Sequence, residues 1–170
     1  MERKNVVTIG GNPLTLVGTE IKEGDKAPDF TALDGTLKEV KLGDFGGKIK
    51  LIAAVPSLDT PICDEETRKF NEVAANLPEN VQFLTISTDL PFAQSRFCQT
   101  AGIERVKVLS DHRDLSFGTA YGVAIKELRL LARSIFVIDE GDVVQYVQVV
   151  PEVKTHPDYD GALEAVKKLL

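Results

Sequence analysis

Lys50-Leu51-Ile52-Ala53-Ala54-Val55, the connection Pro56-Ser57-Leu58-Asp59-Thr60, and the segment Pro61 to Asn76 together decide the fold class. The first run is almost wholly apolar, the pattern of a strand covered on both faces. The segment after the connection places Cys63, Thr67, Phe70 and Ala74 at steps of three or four, running on to Leu77, which is one face of a helix. Downstream the alternation continues. Val81–Ser87 reads as a second strand, and Asp89 as the cap of a helix that runs to Ala101 and is stopped by Gly102. Val106–Leu109 is a short strand and Leu115–Tyr121 a short helical piece. Ser134–Ile138 and Val143–Val150 flank Asp139-Glu140-Gly141-Asp142 as a hairpin, and Tyr159–Leu170 is a closing amphipathic helix. Upstream, Val6–Ile9 and Leu14–Val17 form another hairpin around Gly10-Gly11-Asn12-Pro13. A turn-rich segment follows it, marked by Ala27-Pro28-Asp29-Phe30 and Asp34-Gly35.

This order predicts an α/β protein with a mixed central sheet flanked by helices on both faces and an extra N-terminal β-hairpin. A thioredoxin-like arrangement fits it best. The 170 residues suit a single domain over 1–170, and 43% hydrophobic with 27% charged residues is ordinary globular usage. Twenty Lys and Arg against 26 Asp and Glu give a net charge of −6 with no basic run, so neither nucleic acid nor an anionic membrane is an expected partner. The longest apolar run, Leu51 to Val55, is far short of a membrane span. No apolar stretch near the start suits a secretory signal, which makes the cytoplasm the expected compartment. Two cysteines are too few for a disulfide scaffold; redox chemistry, metal or plain burial are the alternatives there.

Cys63 carries the chemistry. Thr60 is a good N-cap and Pro61 a good first helical residue, which puts the sulfur in the first turn, at the third helical position. Unpaired backbone N–H groups and the helix dipole favour an anion there. An ordinary thiol is only about 3% ionised at pH 7, and a helix end supplies about 2 kcal/mol at most. A nearby cation is therefore required, the more so because Asp64, Glu65 and Glu66 oppose a thiolate. The competing reading is an inert core cysteine, since Cys63 shares a stripe with Phe70 and Leu77.

Pro56, Thr60 and Cys63 form a Pro-x-x-x-Thr-x-x-Cys motif that resembles the active-site signature of peroxiredoxins. The fuller string Ser57 to Cys63 is similar to the bacterial thiol peroxidase branch, an atypical two-cysteine group. The likeness extends over the chain, through the opening hairpin, Lys26-Ala27-Pro28-Asp29-Phe30, Ser87 to Ala93 and Ala132 to Asp139. It implies that Cys63 is the peroxidatic cysteine, attacking the terminal peroxide oxygen and becoming a sulfenic acid, with no cofactor. It also implies that Cys98 resolves that acid into a Cys63–Cys98 intramolecular disulfide, which thioredoxin reduces. Organic hydroperoxides as preferred substrates, and a homodimer, are further implications.

Thr60 would both cap the helix and hydrogen-bond the sulfur and peroxide; Pro56 would floor the pocket. The plain alternatives are a cap alone and an end-of-strand proline. Arg133, at the head of Ser134–Ile138 between apolar neighbours, is the candidate cation, against a surface arginine as the alternative; Lys126 and Arg129 read as solvated. Metal is a poor reading: there is no Cys-x-x-Cys, and His112 and His156 are the two imidazoles available. The second functional class is a thiol redox sensor or holdase switched by the same disulfide. An enzyme consumes many equivalents of peroxide, a sensor one.

Overall fold

A computed structural model describes residues 1–170. In chain order the elements are β1 (Glu2–Ile9), β2 (Asn12–Val17), β3 (Thr31–Leu33), β4 (Glu39–Lys41), a 3₁₀ turn (Leu42–Phe45), β5 (Ile49–Ala54), α1 (Pro61–Ala74), β6 (Val81–Ser87), α2 (Pro91–Ala101), β7 (Val106–Ser110), α3 (Ser116–Ala120), β8 (Ala124–Ile125), β9 (Leu130–Leu131), β10 (Ser134–Ile138), β11 (Val144–Val149) and α4 (Tyr159–Lys167). No helix is long and apolar enough to cross a membrane.

The main sheet runs β11-β10-β5-β6-β7-β3-β4. Strands β5, β6 and β7 are parallel, while β10 joins β5, and β3 joins β7, antiparallel, so the sheet is mixed as expected. Its central strands are buried on both faces. Leu51, Ala53, Ile135 and Val137 point into one core with Phe70, Phe83, Ala162 and Val166; Ile52, Ala54, Phe136 and Ile138 point into another with Phe30, Phe117 and Tyr121. That alternation on two buried faces explains why the sequence reads as continuous apolar runs. Helices α1, α2 and α4 contribute to the first core, and the short α3 to the second.

The extra N-terminal hairpin is present, and it is integrated into a second sheet: β1 and β2 form a four-stranded sheet with β8 and β9, in the order β1-β2-β8-β9. The pairing is secured by the Glu127 carboxylate, which accepts from the Thr15 amide and hydroxyl at 2.8 Å each. The turn-rich segment around Asp34 contains the β3–β4 hairpin, whose three-residue strands are too short to show alternation. Asp89 does not cap α2, whose N-cap is Leu90 with no side-chain bond; Pro91 at the first position has no N–H to offer. The Asp89 carboxylate instead accepts from the Ser57 hydroxyl, the Leu58 amide and the Ser87 hydroxyl at 2.7, 2.8 and 2.7 Å.

Candidate active site

The site forms where β5 ends and α1 begins. The Val55 amide still bonds across to Ile86, Pro56 is buried directly after it, and the loop through Ser57 and Leu58 is tied to β6 by Asp89. Thr60 occupies the N-cap with extended backbone, and Pro61 opens the helix. The amides of Ile62 and Cys63 precede the first intrahelical bond, which Asp64 makes to the Thr60 carbonyl. The sulfur therefore lies beside unpaired donors at the positive end of a 14-residue helix.

The Thr60 hydroxyl differs from the expected cap. It donates to the Ser57 carbonyl at 2.9 Å and makes no bond to the helix amides. Its proton is thereby committed, and its oxygen is left with acceptor capacity only.

Cys63 is fully buried among apolar side chains, as an inert core cysteine would be. Its partner argues otherwise. The Arg133 guanidinium is 2% exposed, donates through Nη2 to Cys63 Sγ at 3.2 Å, and is held by Nε to the Val153 carbonyl and Nη1 to Glu66 Oε1 at 2.9 Å each. A buried arginine aimed at a sulfur has a heavy desolvation cost that an uncharged thiol does little to offset. Burial works against the Arg133 charge, but Cys63 and Glu66 outweigh it, and the guanidinium is held more firmly protonated than usual.

Glu66 is the functional residue that the sequence reading missed. The sequence groups it with Asp64 and Glu65 as an acid opposing a thiolate, yet each of the three has its own side-chain partner. Asp64 pairs with Arg68, Glu65 lies 3.3 Å from His156 Nε2, and Glu66 pairs with Arg133. Burial raises the Glu66 carboxyl to about 7 in spite of Arg133, and its Oε2 has no partner. A signal existed: Cys63, Glu66, Thr67 and Phe70 occupy one buried stripe, and a carboxylate inside such a stripe demands a partner.

Cys98 is a half-buried free thiol on α2, packed at the edge of the core that contains Cys63. Burial pushes its thiol above the usual range. The structure thus brings together Cys63, Arg133 and Glu66, places Pro56 and Thr60 on the adjoining loop, and leaves Cys98 on a separate helix with both thiols reduced. No cluster of His, Cys, Asp and Glu is arranged to hold a metal ion.

The profile of the redoxin family matches residues 22–163. A thiol peroxidase of Halalkalibacterium halodurans is 61% identical over 164 residues, covering 96% of this chain and 98% of that protein. One from Bacillus subtilis is 55% identical over 164 residues, with the same coverage. The crystal structure of a peroxiredoxin-like protein from Aquifex aeolicus superposes with a TM-score of 0.91 at 44% identity, covering 99% of this chain and 98% of that one, which bears out the thioredoxin-like architecture. A family profile spanning most of the residues, and relatives this similar along nearly their whole length, lead to one assignment: the chain belongs to the redoxin family, within its thiol peroxidase group.

Proposed function

We propose that this thiol-dependent peroxidase works through Cys63 as peroxidatic cysteine and Cys98 as resolving cysteine. The observation that carries the reading is the buried Arg133 guanidinium donating to the Cys63 sulfur at the first turn of α1. The thiolate attacks the terminal oxygen of a hydroperoxide and the O–O bond breaks. The leaving alkoxide takes a proton and departs as alcohol, or as water from hydrogen peroxide, and Cys63 becomes a sulfenic acid. Arg133, charged throughout, favours both the thiolate and the oxygens that gain charge as the bond breaks. The Thr60 oxygen, its own hydrogen bond donated to the Ser57 carbonyl, is free to accept a hydrogen bond from the peroxide O–H and orient the substrate. Pro56 closes the floor of the pocket against water.

The Cys98 thiol then displaces water from the sulfenic acid and forms the Cys63–Cys98 disulfide. A dithiol reductant of the thioredoxin kind returns both cysteines to thiols, transferring two electrons per cycle. The thiol peroxidase relatives favour this turnover over a one-shot sensor or holdase. A cytoplasmic homodimer acting on organic hydroperoxides in preference to hydrogen peroxide completes the reading.

A thioredoxin-coupled assay with hydrogen peroxide and cumene hydroperoxide tests it. Cys63→Ser should abolish turnover. Cys98→Ser should complete one turnover and stop, leaving a sulfenic acid that dimedone traps. Sustained turnover by Cys63→Ser sinks the assignment of the nucleophile; normal cycling of Cys98→Ser with thioredoxin sinks that of the resolving thiol.

A further inference from the structure

Two contacts aim Arg133 at Cys63. The guanidinium is planar, so its bonds through Nη1 to Glu66 and through Nε to the Val153 carbonyl, 2.9 Å each, set the direction in which Nη2 meets the sulfur. Glu66 acts through its side chain. Val153 acts through its backbone, and no substitution there deletes the carbonyl. What holds that carbonyl in place lies in residues 151–155, a strap between β11 and α4.

The strap is pinned to the N-terminal hairpin at Thr8. The Thr8 amide donates to the Pro151 carbonyl at 2.7 Å, and the Val153 amide to the Thr8 carbonyl at 2.8 Å. Between them the Glu152 carboxylate gathers four donors. Oε2 accepts from the Lys154 amide at 2.9 Å and the Gly10 amide at 3.1 Å, and Oε1 from the Gly11 amide and the Thr8 hydroxyl at 2.9 Å each. The Lys154 bond decides the matter. The Lys154 N–H and the Val153 C=O belong to one peptide unit, which is planar, with the two groups pointing in opposite directions. A carboxylate that fixes the N–H therefore fixes the carbonyl, and the carbonyl fixes Arg133. An N–H bonded to an anion also leaves its own carbonyl oxygen a stronger acceptor. Contacts thus run unbroken from the hairpin through Glu152, the Val153–Lys154 peptide and Arg133 to the sulfur.

We propose that Glu152 is a positioning residue for the reaction at Cys63, setting through the Val153–Lys154 peptide the plane and aim of the Arg133 guanidinium. The inference rests on the peroxidase reading above and adds a residue that acts through the arginine without bonding to it. It also gives the hairpin a part in the chemistry.

The test separates aim from stability. Cys63 alkylation by iodoacetamide is followed against pH in a Cys98→Ser background, where one thiol reacts, together with the Tm and, in the two-cysteine protein, kcat/KM for hydrogen peroxide with thioredoxin. Glu152→Ala should lower the Tm, move the alkylation midpoint up by roughly 0.5–1 pH unit and cut kcat/KM about three- to tenfold. Glu152→Asp is the rescue. A carboxylate one methylene shorter still accepts from the amide two residues on, as in an Asx turn, but is too short to reach Gly10 and Gly11 as well. It should lose Tm as Glu152→Ala does and keep the native midpoint. Glu127→Gln loosens the same hairpin at Thr15, so it should lower the Tm and leave the midpoint in place. A native midpoint in Glu152→Ala overturns the proposal, as does an equal shift in Glu152→Asp or Glu127→Gln. If Glu152→Ala does not fold, Glu152→Gln, with one acceptor oxygen among four donors, takes its place in the same comparison. An unmoved midpoint removes only this inference, whereas a native midpoint at the ordinary thiol value of about 8.5 removes the thiolate reading beneath it.

Discussion

Glu66→Gln tests how one buried cation divides itself between two anions. The Glu66 and Arg133 side chains are 1% and 2% exposed and 2.9 Å apart, and Glu66 Oε2 has no partner. Cys63 claims the same guanidinium from the other side. Burial therefore outweighs the attraction of Arg133 and carries the Glu66 carboxyl from 4.5 to about 7. In the unfolded chain that carboxyl ionises near 4.5. Between about pH 4.5 and 7 the folded state holds a proton that the unfolded state has released, and stability falls as the pH rises through that window. The full excursion corresponds to about 3 kcal/mol. Glutamine keeps the shape and an acceptor for Arg133 Nη1 but does not ionise. The two proteins should be about equally stable near pH 4.5, with the variant ahead by about 3 kcal/mol at pH 8. Urea unfolding of both, fully reduced, at pH 4.5, 6 and 8 measures the difference. A variant less stable at pH 8 by about 3–5 kcal/mol, the cost of orphaning a buried charge, would refute the reasoning and show that the ion pair outweighs burial. The same change removes the carboxylate that competes with Cys63 for Arg133, so alkylation of Cys63 at pH 7 should be faster than in the native protein.

Arg133→Lys keeps the charge but cannot reach Cys63, Glu66 and the Val153 carbonyl together; losing one charge-assisted hydrogen bond should slow peroxide reduction about ten- to a hundredfold, and an unchanged rate would remove Arg133 from the site. Formation of the Cys63–Cys98 disulfide requires Cα atoms about 4.4–6.8 Å apart, yet reduced Cys63 faces Arg133 from within α1. Amide exchange should therefore quicken around Asp59–Thr67 and Pro91–Gln99 on oxidation while β5 and β6 keep their protection, and equal protection in both redox forms would show that no helix opens. Glu152 accepts from the Gly10, Gly11 and Lys154 amides and the Thr8 hydroxyl, which hold its carboxyl down at about 2 and clamp the β1–β2 turn. Glu152→Gln should lower the Tm at pH 7, and because the stabilisation is present above about pH 4.5 and lost toward pH 2, the gap from the native protein should close on acidification; a gap independent of pH would refute the clamp.

What the sequence determined by itself is local. The continuous apolar runs of β5 and β10, the three-to-four step along α1, Pro61 at the first position of the helix and Gly102 in left-handed conformation after α2 all involve neighbours a few residues apart, and each can be read from its own segment. The position of Cys63 in the first turn belongs to this class, and so does its share of the helix dipole. Tertiary structure decided the rest. Arg133 meets Cys63 across 70 residues and Glu66 across 67, and Asp89 reaches Ser57 across 32, because adjacent strands of one sheet bring their ends together. The two-residue strands β8 and β9 exist only through their partners, β2 beside β8 and β8 beside β9, and the Thr60 hydroxyl turns to the Ser57 carbonyl that the loop offers. Periodicity records which side of an element is buried. It does not record which charge waits there, and the chemistry of this site depends on that meeting of charges.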